Sequence, residues 1–412
     1  MKNQMMNTSC VRFRSLAPLI GSILVMASPV FGSEQDTLRH LREQAAQEGW
    51  TFNVGANPAT EIPLVNLTGV VVPENWRVGA NFDDIAVPAS SGLPSAWDWR
   101  TEQGSGTVPP IRNQGQCGSC WAFAVMGSLE SGVGIRDGSA PDLSEQWLVS
   151  CCGLGGCSGE WSGNAANYLL ANGPLDQCGL RGAPWEADFP YQGADVPCTC
   201  PEDRPYTIES WAFIGPQWGT PSEAQLKQAI LDYGPITVCV YADSAFQYYT
   251  GDVFNACTSS DVNHAVVLVG WDDAQGSDGV WILRNSWGSW WGEGGYMRIE
   301  YGCSRIGYGG LYLNVGNIGA CCFGEYCVSS PEETCQNAGG TFLGVGVSCE
   351  ASSCVVPCVG DITGDGLVDT SDLLELISAW DCADCQAEDV DGDGIVTAGD
   401  LLQLLAAWGA CP

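Results

Sequence analysis

Histidine is almost missing from this chain: its 412 residues contain two, His40 and His264. Basic residues are scarce as well. Fifteen Lys and Arg stand against 48 Asp and Glu, for a formal charge of −33, which excludes attraction to phosphate backbones or anionic membranes and so disfavours nucleic-acid binding. Long apolar runs are lacking except near the N-terminus. There Lys2, Arg12 and Arg14 precede Leu16 to Ala27, a run too short for a membrane span. It reads as a signal peptide over residues 1–32, cleaved near Gly32, with Ala27 as a second site. The expectation is a secreted, extracellular protein with no transmembrane segment. Cysteine is absent from residues 33–92, and no Lys or Arg follows Arg305 although 16 acidic residues do.

Cysteine is otherwise abundant. Twenty-two of them point to an oxidising compartment, since cytosolic reductants would keep most as thiols. Residues 33–92 open on a polar helical pattern, Thr37 to Glu48, and then lose periodicity through Pro58, Pro63, Pro73 and Pro88. A cysteine-free stretch before a cysteine-rich one suggests a prosegment removed on maturation; an ordinary linker is the alternative. From Leu93 the texture turns to Trp, Cys and Gly, with a helical run from Cys120 and later strands at Ile236 to Tyr241, Ala265 to Trp271 and Val280 to Arg284. Helices early and strands late imply an α+β domain over 93–316. Residues 317–358 hold seven cysteines among small residues and need disulfides to fold.

The chemistry concentrates in three places. Gln114-Gly115-Gln116-Cys117-Gly118-Ser119-Cys120 runs from a glycine-rich loop into a helix, with Ser119 as the expected N-cap. Cys120 then sits where free backbone N–H groups and the helix dipole favour a thiolate. A thiolate nucleophile works with an imidazolium that protonates the leaving amine. His40 falls in the expected prosegment, so His264 is the one histidine left in residues 93–412. A strand ending at Arg284 delivers Asn285, whose carbonyl would orient the imidazole, and Trp287 could shield that hydrogen bond from water.

Gln114, Cys117-Gly118-Ser119-Cys120-Trp121, Asn263-His264-Ala265 and Asn285-Ser286-Trp287-Gly288 resemble, in order, the motifs of the papain and cathepsin family of cysteine peptidases. His264 lies 144 residues after Cys120, within the family's interval of roughly 130 to 150. The likeness covers Leu93 to about Val315. It implies a two-lobed domain, helical lobe plus β-barrel-like lobe, that hydrolyses peptide or protein substrates as an endopeptidase made as a zymogen, with no cofactor for catalysis. It implies Gln114 as oxyanion donor and disulfides Cys117–Cys157, Cys151–Cys198 (or Cys152 for Cys151) and Cys257–Cys303. Cys178, Cys200 and Cys239 are extra, and Cys239 reads equally as a buried thiol or a bridge. Substrate would meet Gly159, Glu160, Ala265, Trp287 and, on the pocket floor, Tyr308. Glu160 replaces a glycine of the family pattern; a carboxylate there would restrict access or favour a basic substrate residue, unless it simply turns to solvent. The rival reading is a non-catalytic papain-like binding or surface protein. A transglutaminase or acyltransferase would also use Cys and His, but the residues around Cys120 do not resemble those families.

A true repeat closes the chain over 359–412. Asp361, Thr363, Asp365, Asp369 and Asp372 place oxygen ligands at loop positions 1, 3, 5, 9 and 12, with Gly366 at 6 and the Leu367 carbonyl at 7. Asp389, Asp391, Asp393, Ile395, Thr397 and Asp400 repeat this set 28 residues later. Calcium at two sites is expected, against the alternative of a solvated acidic tail. An apolar helical pattern follows each loop, none precedes the first, and position 12 is Asp. The repeat therefore resembles a dockerin, a small α, EF-hand-like pair, more than a sensor EF-hand. The resemblance implies a cohesin-like or cell-surface partner; a stabilising calcium module without a partner is the other reading.

Overall fold

A helix that is apolar all round has to be covered on every side. Helix Cys120–Asp137 is of that kind, and every residue from Cys120 to Gly134 is buried. The computed structural model describes residues 34–85, 87, 93–102, 106–258, 261–316, 318–323, 326–331, 335–336, 339–345, 360–382, 385 and 387–410. The expected signal peptide lies outside them. Helix Cys120–Asp137 ends where Gly138 takes a left-handed conformation and donates to the Gly134 carbonyl. Its flanks face two separate cores. One side packs with helices Glu145–Cys151 and Ser162–Leu169 around Trp121, Trp147 and Leu169. The other lies on a sheet whose strands are buried on both faces and read as continuous apolar runs.

That sheet has nine strands among the described residues, in the order Phe82–Asp83, Ser210–Ile214, Tyr308–Asn314, Ile236–Val240, His264–Asp272, Val280–Arg284, Tyr296–Glu300 and Val253–Phe254, with Ala96–Asp98 pairing on His264–Asp272. The expected strands are present, and the α+β order holds. Disulfides Cys117–Cys157, Cys151–Cys198 and Cys257–Cys303 occur as the resemblance implied. Cys178 bonds Cys200, while Cys239 and Cys152 are buried thiols.

The N-terminal segment is built onto this body. Helix Glu34–Glu48 buries Leu41, strand Asn53–Val54 pairs with Tyr249–Gly251, and Phe82–Asp83 adds a parallel edge to Ser210–Ile214. Farther on, Ile318–Phe323 is the middle strand of a three-stranded antiparallel sheet with Tyr326–Pro331 and Thr341–Val345. Helices Thr370–Ser378 and Ala398–Ala406 enclose a small core of Val368, Leu376, Val396 and Leu404.

Candidate active site

Cys120 is the first residue of its helix and is fully buried beside Ala265 and Val267. Burial pushes its thiol up to about 11, against backbone N–H groups of Ala265, Gly69, Trp121 and Cys120 itself that favour the anion. Ser119 stands at the N-cap position, but its hydroxyl does not cap the helix, contrary to the sequence expectation. It lies 2.6 Å from the Tyr191 hydroxyl instead.

His264 opens strand His264–Asp272, and its Nε2 lies 2.8 Å from Asn285 Oδ1. The same oxygen accepts from the Ser286 N–H at 2.8 Å, which fixes the amide orientation. An amide oxygen can only accept, so Nε2 carries the hydrogen. Nδ1, buried and without a hydrogen-bond partner among the described residues, is then the basic nitrogen. Burial lowers His264 to about 4, opposed by the Asn285 bond. The Trp287 ring lies 4.7 Å from the imidazole, centroid to centroid, and closes this bond off from solvent. Asn285→Ala should therefore lower kcat about 100-fold through misplacement of the ring, with KM little changed; steady-state kinetics of the converted enzyme checks this.

At these values both groups are neutral, and a peptide segment lies over the Cys120 side of the site. Gln114 Nε2 donates to the Leu67 carbonyl at 3.1 Å and to the Cys117 carbonyl at 2.8 Å, and Trp287 Nε1 also donates to Leu67, at 3.1 Å. Gln114 Oε1 accepts from Ser286 Oγ at 2.7 Å, which turns the amide N–H group toward that carbonyl. Glu160 N–H donates to Gly69 (2.9 Å), Val71 N–H to Glu160 (3.2 Å) and Val70 N–H to Asn263 (3.0 Å). Gly69 is obligatory at this crossing, because a Cβ would run into the Gly118 carbonyl. No spacing in residues 33–92 signalled which of them would occupy the site.

The expected substrate contacts are thus seen holding the chain's own segment. Gly159, at φ +100, is tight against Gly69 and Val71. The Ala265 methyl packs with Cys120, and Val70 packs against the same cluster. Glu160 corrects the sequence reading: its carboxylate accepts from the N–H groups of Gly155 (3.1 Å) and Trp161 (2.8 Å) and from Asn164 Nδ2 (3.0 Å). Two loop N–H groups and the Asn164 amide of helix Ser162–Leu169 engage it, so it does not simply turn to solvent. The half-buried Tyr308 takes a hydrogen bond from Trp76 Nε1 at 3.2 Å, and Arg305 stacks on its ring.

In the acidic repeat, Asp361 accepts from Gly364, Asp365 and Gly366 N–H groups, and Asp365 from Leu367. Asp372 binds Thr363 and the Asp369 N–H. Asp369 and Thr397 also serve as helix N-caps, in capping boxes with Asp372 and Asp400. In the second loop, carboxylate oxygens of Asp389, Asp391 and Asp400 lie within 4.8 Å of one another, and Asp389 Oδ1 is buried without a hydrogen-bond partner among the described residues. Asp393 accepts from the Ile395 N–H. An orphaned buried oxygen amid carboxylates fits a hard cation.

A profile of the family described as papain family cysteine protease matches residues 93–310. Digestive cysteine proteinase 1 of Homarus americanus is 38% identical over 259 residues, covering 60% of this chain and 74% of its own. Digestive cysteine proteinase 2 of the same animal is 33% identical over 279 residues, covering 66% and 81%. Among solved structures, digestive procathepsin L2 from Tenebrio molitor larval midgut superposes with a TM-score of 0.58 at 28% identity, over 68% of this chain and 89% of its own. A recombinant stem bromelain precursor gives 0.56 at 27%, over 68% and 89%.

Proposed function

The chain belongs to the papain family of cysteine proteases, and from that premise we propose that it is a secreted endopeptidase in which Cys120, His264, Asn285 and Gln114 carry the reaction. With the covering segment gone, Cys120 passes its proton to His264 Nδ1, and the thiolate sulfur attacks the scissile carbonyl carbon. The oxygen takes the negative charge and is held by Gln114 Nε2 and the Cys120 N–H. His264 then gives the proton to the departing amine, leaving a thioester. Water, deprotonated by His264, cleaves that thioester and restores the thiol. Asn285 keeps Nε2 hydrogen-bonded throughout. One observation carries this reading: the Gln114 amide and the Cys120 sulfur already meet a peptide backbone, the Leu67 carbonyl at 3.1 Å from the amide and the Gly69 N–H at the sulfur.

Residues 33–92 are the prosegment in this proposal, with 93–316 the peptidase domain, 317–358 a cysteine-rich module and 359–412 the dockerin-like repeat. Conversion under reducing conditions should yield a new N-terminus near Leu93 together with casein hydrolysis. An active full-length chain that keeps residues 33–92 contradicts it. Among the described residues no helix is long and apolar enough to cross a membrane.

The tail is proposed to bind two calcium ions and then dock on an extracellular cohesin-like or cell-surface partner. Leu374, Ile377 and Trp380 are exposed on one half, and their counterparts Leu402, Leu405 and Trp408 on the other, an apolar surface suited to a partner. Titration calorimetry should register calcium uptake that Asp365→Ala with Asp393→Ala abolishes. Calcium at about 100 times its Kd should stabilise the tail by about 2.7 kcal/mol per site; no heat and no stability shift would leave an acidic tail without a metal.

A further inference from the structure

Gln114 and Cys120 bracket one loop, and the side chain that ties its two ends together lies far away in sequence. The Tyr191 hydroxyl donates to the Gln114 backbone carbonyl at 2.9 Å and lies 2.6 Å from Ser119 Oγ. With the phenol proton on Gln114, the Ser119 hydroxyl is the donor of the second bond, the shorter of its two contacts, the Cys117 carbonyl lying 3.4 Å from the same oxygen. The ring of Tyr191 is held edge-on by Phe123, with centroids 4.7 Å apart, and its backbone N–H is anchored on Glu186 Oε1 at 2.7 Å.

A serine at an N-cap normally turns its oxygen onto the N–H of the second or third helical residue. Here those residues are Trp121 and Ala122, and the Trp121 N–H is one of the groups that favour the Cys120 anion. Ser119 adopts φ −101 and ψ 14, outside the extended geometry of a capping residue, and makes no cap. A capping hydroxyl would compete with the sulfur for that donor.

We propose that Tyr191 is a positioning residue for catalysis: it fixes Gln114 as oxyanion donor and diverts the Ser119 hydroxyl, so that the first N–H groups of the catalytic helix remain available to the Cys120 sulfur. Nothing in its local sequence marks this role. The inference rests on Cys120 and Gln114 acting as proposed above. That reading is judged by whether the wild-type enzyme labels at Cys120; the role of Tyr191 is judged by comparing variants with it.

The test uses the full chain after conversion, with kinetics on a peptide substrate and the pH profile of Cys120 alkylation by iodoacetamide. Tyr191→Phe keeps the ring and its Phe123 contact but loses both hydroxyl bonds. It should lower kcat about 10-fold with KM within about twofold, and raise the alkylation inflection by about half a pH unit or more. Adding Ser119→Ala removes the competing cap and should return the inflection to the wild-type value while kcat stays low. Ser119→Ala alone should leave the inflection where it is. Tyr191→Phe with unchanged kcat and inflection overturns the proposal. So does a raised inflection in Ser119→Ala alone, since the hydroxyl would then serve the sulfur directly, and that arm decides even if Tyr191→Phe fails to fold.

Discussion

Cys120→Ala should abolish peptide hydrolysis, leaving kcat/KM about 10⁵-fold or more below wild type. The full-length variant should also keep residues 33–92 attached, provided conversion is the enzyme's own work. His264→Ala should cost nearly as much, and the double variant little more than either, because nucleophile and proton carrier act as one unit. Among the described residues no second thiol is placed to take over: Cys152 and Cys239, the other free ones, are both buried, and burial pushes each of them up beyond the usual thiol range. Once an added protease has removed residues 33–92, substrate affinity should survive these changes, since the Glu160 and Asn263 backbones that held the segment are then free to pair. Steady-state kinetics at matched protein concentration, measured by absorbance, covers all three variants. A Cys120→Ala enzyme that retains more than about one-hundredth of wild-type activity would place the nucleophile elsewhere.

Acid should release the covering segment of the Cys120→Ala chain. In the closed form burial holds His264 at about 4 and Cys120 at about 11, so both are neutral between those limits. Once water returns, the imidazole regains a value near the ordinary 6.5 or above it. In the Cys120→Ala chain no thiol supplies a proton on opening, so the open form takes one from solution that the closed form refuses, and the closed form loses stability as pH falls from about 6.5 towards 4. The shift approaches tenfold per pH unit midway between the two values and comes to about 40-fold between pH 6.5 and 4.5. Above pH 6.5 this contribution vanishes. Hydrogen exchange at Gly69, Val70 and Val71 in the full-length Cys120→Ala chain, corrected for intrinsic rates, reads the effect without interference from cleavage. Adding His264→Ala should flatten the profile. If the doubly substituted chain keeps the full pH dependence, acid acts elsewhere.

How much of this was legible depends on how local each signal is. Cys120, His264 and Asn285 stood out because each sits at the head or end of an element with its own apolar pattern. The scarcity of histidine then removed every competitor to His264. The strands Ile236–Val240 and Val280–Arg284 were readable as uninterrupted apolar runs for the same reason. What could not be read depends on partners far along the chain. Gly69 carries meaning only against Gly118 and Glu160, and no periodicity in residues 33–92 announces that pairing. The Ser119 expectation followed a local capping preference that a tyrosine 72 residues away overrides. Glu160 stood out as a carboxylate where the family pattern has glycine. Its three donors, Gly155, Trp161 and Asn164, become visible only once the loop is folded. In the tail, periodicity of 28 residues exposed the acidic pattern, while the service of Asp369 and Thr397 as helix caps emerged from the backbone.

The most direct test is covalent labelling with an epoxysuccinyl thiol reagent, applied to the full-length chain at pH 7 and to the converted enzyme, followed by mass-spectrometric mapping of the adduct. The expected result is a single adduct on Cys120 in the converted enzyme and none in the full-length chain, where Gly69 lies against the sulfur. An adduct on Cys152 or Cys239, or equal labelling of Cys120 with the segment in place, would contradict it.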